Sequence, residues 1–319
     1  MNYAGLIYDD SSHYVDHLAP LCSLMNWPLI VCEERIAILS EGYYPDLKVI
    51  QKNLFDLKLP AITLTCGHRL LLEAFFPGQR TKTVWLPHGN SDKGWNSPFF
   101  EALQEEEIAL VYGQKMIDFM HQKKAFPKTI SVGNFRLHYY MKHKKFYEKL
   151  FNGPKKTKIF LYTPTWDDAE NNNSFWKAFP SLSTNLPKDC HLLIKLHPNT
   201  LSKYVLELEI LMGRFKKQKN ITFLPEFPPI YPLLNACDAY IGDMSSIGYD
   251  FLHFNRPLFF LNANPSLALN QCGLKIEADT FDFTIQKPNT FDDIRKSMYE
   301  YTFDPCPNWN ELSYALRCL

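Results

Sequence analysis

Four short polar clusters carry the residue types from which a group-transfer site could be built. The first, Pro87-His88-Gly89-Asn90-Ser91-Asp92-Lys93-Gly94, places an imidazole and an ammonium in one loop. An imidazole titrates near neutrality, so His88 is a candidate acid or base, although a surface turn would have the same composition. The second, Leu161-Tyr162-Thr163-Pro164-Thr165-Trp166, stops an apolar run at a proline flanked by threonines. Alone it says only that an element ends there. In the third, Ile194-Lys195-Leu196-His197-Pro198, the proline biases His197 toward extended backbone, which points it off the tip of the preceding run. A strand-terminating turn is the plainer reading. The fourth runs from Cys237 through Gly242-Asp243-Met244-Ser245-Ser246 to Asp250-Phe251, a Gly-Asp loop feeding paired serines and an amphipathic helical segment. Backbone N–H groups at a helix start, assisted by hydroxyls, suit a phosphate, and a simple serine cap would look the same.

Each cluster follows a run that reads as a strand. Apolar, β-branched runs recur at 5–8, 29–32, 48–50, 62–65, 83–86, 108–112 and 129–132, and again at 158–162, 192–196, 221–224, 239–241 and 258–261. Segments such as 69–76 and 115–124 between them are long enough for helices, and strands alternating with helices predict parallel α/β sheets. Such sheets gather ligands at the carboxyl ends of their strands, where all four clusters stand. Between the two series runs Met141 to Lys158, with seven lysines and a Gly-Pro break, which places a domain boundary at Gly153: an N-terminal domain over 1–153 and a C-terminal one over 154–319. That run reads as a solvated linker and helix face, or as a patch for a phosphate or membrane surface. A second basic cluster, Arg214 to Lys219, reads as a helix C-terminus.

The exclusions are firmer. No two of the 13 glycines stand at i and i+2, and no Gly-Lys-Ser/Thr occurs, so the dinucleotide fingerprint and the P-loop are absent. Neither H-E-x-x-H nor G-x-S-x-G is present, and no Asp-x-Asp supports a metal-held nucleotide diphosphate. Thirty-four basic and 34 acidic side chains cancel, which argues against a general nucleic-acid binder. No apolar run approaches the roughly 18 residues of a membrane span. The N-terminus lacks the basic start of a signal peptide, and eight widely spaced cysteines without C-x-x-C pairing fit reduced thiols, so a cytoplasmic protein is expected.

Together the clusters resemble the CDP-glycerol glycerophosphotransferases, the polymerases and primases of wall teichoic acid and related capsule polymers. The residues that carry the likeness are His88-Gly89 with Lys93, Tyr162 to Trp166, Lys195 to Pro198, Gly242 to Ile247, Asp250-Phe251 and Arg256-Pro257. It covers roughly residues 80 to 262. The resemblance implies α/β architecture of the GT-B type, two facing Rossmann-like domains with an interdomain cleft, and a last helix over Trp309 to Leu319 packing back on the N-terminal domain. It implies His88 as general base, His197 on the donor diphosphate, and donor contacts from Thr163, Thr165, Lys195, Asp243, Ser245, Ser246 and Asp250. Lys93 or Arg136 would balance the remaining charge, with no cofactor and no metal.

The implied reaction moves a glycerophosphate-type group from a CDP-alcohol to a hydroxyl of a lipid-linked or polymer acceptor, releasing CMP. The implied setting is the inner face of a membrane, with Lys142 to Lys158 as contact for anionic lipid. Two features depart from the pattern. Asp167 and Asp168 follow the Thr-Pro-Thr-Trp run where the family often has a basic residue, and Gly133-Asn134-Phe135-Arg136-Leu137-His138 keeps the glycine and arginine of a Gly-x-Pro-Arg-x-Asp segment but not its proline and aspartate. Lacking the long N-terminal extension of many polymerases, the chain is expected to make single additions. A GT-B glycosyltransferase using a nucleotide sugar is the nearer alternative, and a non-catalytic nucleotide-binding relative the more distant one.

Overall fold

Two all-parallel sheets organise the chain, as the alternation of short apolar runs predicts. The computed structural model describes residues 2–90, 92, 98–151, 153–154, 157–167, 172–264, 266–284 and 289–319. The first sheet comprises β1 (Tyr3–Ile7), β2 (Leu29–Val31), β3 (Val49–Gln51), β4 (Ile62–Thr65), β5 (Lys82–Trp85), β6 (Ile108–Val111) and β7 (Lys128–Ser131), in the order β3-β2-β1-β4-β5-β6-β7. The second comprises β8 (Lys158–Thr163), β9 (Cys190–Ile194), β10 (Ile221–Phe223), β11 (Ala239–Gly242), β12 (Leu258–Phe260) and β13 (Leu274–Lys275), in the order β10-β9-β8-β11-β12-β13. The inner strands are apolar on both faces because helices cover both, and the edge strands β3 and β7 are half-exposed. All twelve expected strands are present with ends shifted by at most two residues; the two-residue β13 is too short to signal itself.

The chain forms two compact units. One takes in the residues up to Asn90, the stretch ending at Tyr147, and Tyr301–Leu319; the other takes in Asp92 and Glu148–Glu300. The boundary thus falls between Tyr147 and Glu148, not at Gly153. The lysine-rich stretch is in part a helix, Lys144–Leu150, whose Tyr147 is buried and donates through Oη to the Tyr43 carbonyl at 2.8 Å. Gly153 instead packs against Ile159 and Ala236 of the second unit.

The last segment is part of the first unit. Its helix Trp309–Arg317 is capped by the Asn308 side chain, and Ser313 Oγ accepts from Trp27 Nε1 at 2.9 Å and donates to the Met25 carbonyl at 3.0 Å. Ahead of that helix the chain crosses two glycines at backbone distance. Gly133 has φ +59°, and a Cβ there would lie 2.3 Å from the Asp304 carbonyl oxygen; at Gly113 it would lie 2.8 Å from that of Thr302. Only a residue without a side chain admits the crossing.

Gly133→Ala is therefore expected to lower stability by more than about 2 kcal/mol, from left-handed strain and the backbone collision together. Gly213→Ala, in helix Val205–Phe215 with nothing within 4 Å, should raise it by about 0.5–1 kcal/mol. Denaturant unfolding of both variants checks the pair, and equal effects would contradict it.

Candidate active site

Strand order reverses between β8 and β11, which is where an open parallel sheet offers a crevice to a ligand. Pairing of Thr163 with Gly242 and of Tyr162 with Ile194 brings the ends of β8, β9 and β11 level. The three C-terminal clusters therefore share one edge, although some eighty residues of sequence separate the first from the last.

Asp243 holds that edge together from beneath. Its side chain is buried, Oδ1 accepting from Thr165 N at 2.8 Å and Oδ2 from Ser174 N at 3.0 Å and Ser174 Oγ at 2.7 Å. Because the Ser174 proton goes to Asp243, the Tyr162 hydroxyl must donate to Ser174 Oγ, 2.8 Å away. Thr163 Oγ1 donates to Tyr240 Oη at 2.8 Å, and buried Asp250 accepts from Tyr231 Oη at 2.9 Å. Thr163, Thr165, Asp243 and Asp250, four of the expected donor contacts, are thus buried in the interior, where they position the edge.

Lys195, His197, Ser245 and Ser246 are half-exposed along the edge. His197 caps helix Pro198–Lys203, and its Nδ1 accepts from Asn199 N at 3.1 Å. An accepting Nδ1 leaves the proton of the neutral ring on Nε2, so this imidazole can donate to an anion. Its ring lies 6.1 Å from that of Trp166. Ser245 hydrogen-bonds Tyr240. Ser246 stands at the N-cap of helix Ile247–Phe251 without a side-chain capping bond, so the simple serine cap is not what the fold uses. Asp167, one of the departures from the family pattern, accepts from Tyr204 Oη, from Lys203 Nζ at 3.3 Å and from Asn173 Nδ2 at 2.8 Å. Burial alone would raise its pKa, but the bonds from Tyr204 and Lys203 outweigh that and lower it. It thus ties the loop after β8 to the helices that follow His197.

In the first unit the order reverses between β1 and β4, with β5 next to β4. Beyond β5, Pro87 is buried, His88 half-buried, and Gly89 turns at φ +120°, a conformation that favours glycine. The His88 ring lies 5.4 Å from His13, 5.3 Å from Tyr14 and 6.5 Å from His17. Sequence reasoning missed these neighbours; the available signal was Ser12-His13-Tyr14-Val15-Asp16-His17 directly beyond β1, with the histidines one helical turn apart. Arg136, expected on phosphate, is instead buried in an ion pair with Asp16 at 2.9 Å, and Asp16 also accepts from Tyr44 Oη at 2.8 Å. Burial draws it in because one carboxylate answers both a guanidinium and a phenol. Lys93 lies outside the described residues. Among the described residues no group of three or more His, Cys, Asp or Glu could hold a metal ion, and no helix is long and apolar enough to cross a membrane.

Burial lowers the His13 pKa to about 4 against the pull of Asp9, and burial with Arg136, His88 and His13 nearby holds His17 well below its usual value. A histidine depressed in the folded state binds more protons when unfolded. Stability should therefore be full above about pH 6.5 and fall toward pH 4, by up to about 1.4 kcal/mol per pH unit for each such group. Denaturant unfolding at pH 7.5 and pH 5 should show the loss, and His13→Gln should reduce it; a pH-independent difference between the two proteins would rule it out.

The geometry has counterparts among known proteins. The family model described as CDP-Glycerol:Poly(glycerophosphate) glycerophosphotransferase matches residues 134–265. The teichoic acid glycerol-phosphate primase of Bacillus subtilis (strain 168) is 29% identical over 138 residues, 43% of this chain and 33% of the primase, so the match spans about a third of that relative's length. The wall teichoic acid polymerase TagF, in a structure soaked with CDPG, superposes with a TM-score of 0.70 at 11% identity over 99% of this chain and 88% of that one. MnaA of S. aureus, solved with UDP, gives 0.56 at 13% identity over 100% and 98%. These likenesses establish the GT-B fold. Residues 134–265, the segment that carries Lys195, His197, Ser245 and Ser246, are the part of the chain that is similar to the CDP-glycerol glycerophosphotransferase family.

Proposed function

We propose that the protein transfers a glycerophosphate-type group from a CDP-alcohol, CDP-glycerol first, to an acceptor hydroxyl and releases CMP. The observation that carries this reading is the level edge of β9, β8 and β11, which presents His197 with its proton on Nε2 beside Lys195, Ser245 and Ser246, inside the segment matched by the family model. His197, the serine hydroxyls and Lys195 donate to the diphosphate, stabilising charge where it develops on the leaving CMP. His88 acts as general base: as the acceptor oxygen forms its bond to the distal phosphorus, the imidazole takes the hydroxyl proton and the bond to CMP breaks. Arg136, committed to Asp16, takes no part in phosphate binding.

Incubation with CDP-glycerol, other CDP-alcohols and UDP-glucose, scoring CMP against UDP release, tests the reaction class. CMP release from a CDP-alcohol is expected; UDP release alone would overturn the proposal in favour of a glycosyltransferase. His88→Ala should abolish turnover, a loss of at least about 10²-fold, while CDP affinity by calorimetry stays within a few-fold. His197→Ala and Ser245→Ala with Ser246→Ala should weaken CDP by about 1.5–3 kcal/mol per lost contact and leave cytidine binding unchanged. Equal loss of CDP and cytidine would make these residues structural.

The acceptor we propose is lipid-linked or a polymer at an anionic membrane surface. Lys142, Lys145 and Lys149 are exposed, with Met141 (54%) and Leu150 (40%) exposed among them. Each lysine near a negative surface contributes about 1 kcal/mol, which salt screens. Sedimentation with anionic vesicles should be weak, lost at high salt and reduced by changing the three lysines to glutamine; indifference to lipid charge would remove the membrane from the proposal.

A further inference from the structure

His88 is the residue on which the proposed reaction turns, and a relay of two buried side chains ends one peptide away from it. Tyr112 Oη donates to the Pro87 carbonyl at 2.9 Å, and His17 Nδ1 lies 2.6 Å from the same hydroxyl. A phenol has one proton, and a carbonyl can only accept, so that proton belongs to Pro87. His17 must then be the donor through Nδ1–H, and the neutral ring carries nothing on Nε2. The direction of the chain is settled: His17 to Tyr112 to Pro87.

The end point matters. The Pro87 carbonyl belongs to the peptide that enters His88, and Gly89 on the other side turns at φ +120°. The His88 backbone is therefore held between an anchored carbonyl and a turn that favours glycine. Tyr112 is itself immobilised: it is buried, its ring stacks on Phe135 at 5.5 Å and meets the edge of Phe303 at 5.9 Å, and its carbonyl accepts from Asp304 N at 2.9 Å. The segment that returns after residue 300 thus reaches the His88 loop through one tyrosine. His17, on helix Val15–Leu24, brings the other end of the relay to the rings of His13 and Tyr14 beside His88.

We propose that His17 and Tyr112 are positioning residues for His88, fixing by this relay the peptide from which its imidazole projects. The proposal rests on His88 as general base. Neither residue touches substrate; they act on how often the imidazole stands where a hydroxyl proton can reach it. A displacement of about 1 Å in a reacting group can cost up to about 10²-fold in rate without altering binding.

Turnover of CDP-glycerol by the unaltered full chain is measured first; its absence overturns the reaction assignment and leaves the relay to the spectroscopic arm. With turnover, Tyr112→Phe and His17→Leu should each lower kcat by about 10- to 100-fold at unchanged KM for the donor. Because both break one chain, the double variant should be no worse than Tyr112→Phe alone. His17→Asn, whose amide N–H falls near Nδ1, should keep more of kcat than His17→Leu. Multiplicative losses, an unchanged kcat in Tyr112→Phe, or His17→Asn no better than His17→Leu would overturn the relay. Thermal unfolding identifies any variant that fails to fold. If Tyr112→Phe does, the His17 pair and the spectroscopic arm decide. That arm is histidine 15N NMR of the unaltered chain at pH 7, which should show His17 protonated at Nδ1 and bare at Nε2; the opposite tautomer overturns the proposal without reference to activity.

Discussion

A carboxylate withdrawn from water must find donors for both oxygens, and at Asp243 this requirement shapes the whole edge of the second sheet. The donors it finds are the amide of Thr165 after β8 and the amide and hydroxyl of Ser174, which opens the following helix. Satisfying one buried charge therefore brings three chain segments to fixed places. Truncating it would strand two backbone N–H groups in the interior, each costing about 1–3 kcal/mol. Ser245 and Ser246 follow this clamp directly, and β9, paired with β8, brings Lys195 and His197 to the same edge.

The first unit solves a related problem. Asp16 is withdrawn beneath the His13 and His17 turn and answers both Arg136 and Tyr44. A buried ion pair adds little net stability, but loss of one partner is costly, so the pair acts as a register pin between helix Val15–Leu24 and helix Phe135–Lys142. The Arg136 carried over from the family likeness is held in this pair. Gly133, three residues before it, is likewise explained by the backbone of Asp304 crossing at contact distance.

Much of this was legible in the residues. Short β-branched runs marked every strand but β13, because parallel strands buried on both faces must be apolar throughout. His88 and His197 were legible because each closes a strand and stands beside a proline or glycine that directs the backbone. What was not legible is which polar residues face inward. Thr163 and Asp250 have the same local sequence whether they meet a ligand or a buried tyrosine, and the tyrosines that meet them, Tyr240 and Tyr231, lie on other elements; Asp243 likewise meets Thr165 and Ser174, far from it in sequence. Tyr112 gave no signal, and the spacing of His13 and His17 gave only a local one, because their relation to His88 exists only across β1, β4, β5 and β6.

By itself, then, the sequence determined the alternation of strand and helix, the parallel sheets, the family segment and the two histidines at strand tips. These are local properties: hydrophobic period, proline and glycine geometry, and short motifs. The tertiary structure decided which carboxylates serve the interior, where the last residues pack, that the boundary lies at Tyr147 and not Gly153, and that Tyr112 anchors the peptide entering His88. Each of these depends on which groups meet after the chain closes on itself, since the cost of an unsatisfied buried donor or charge is set by neighbours distant in sequence.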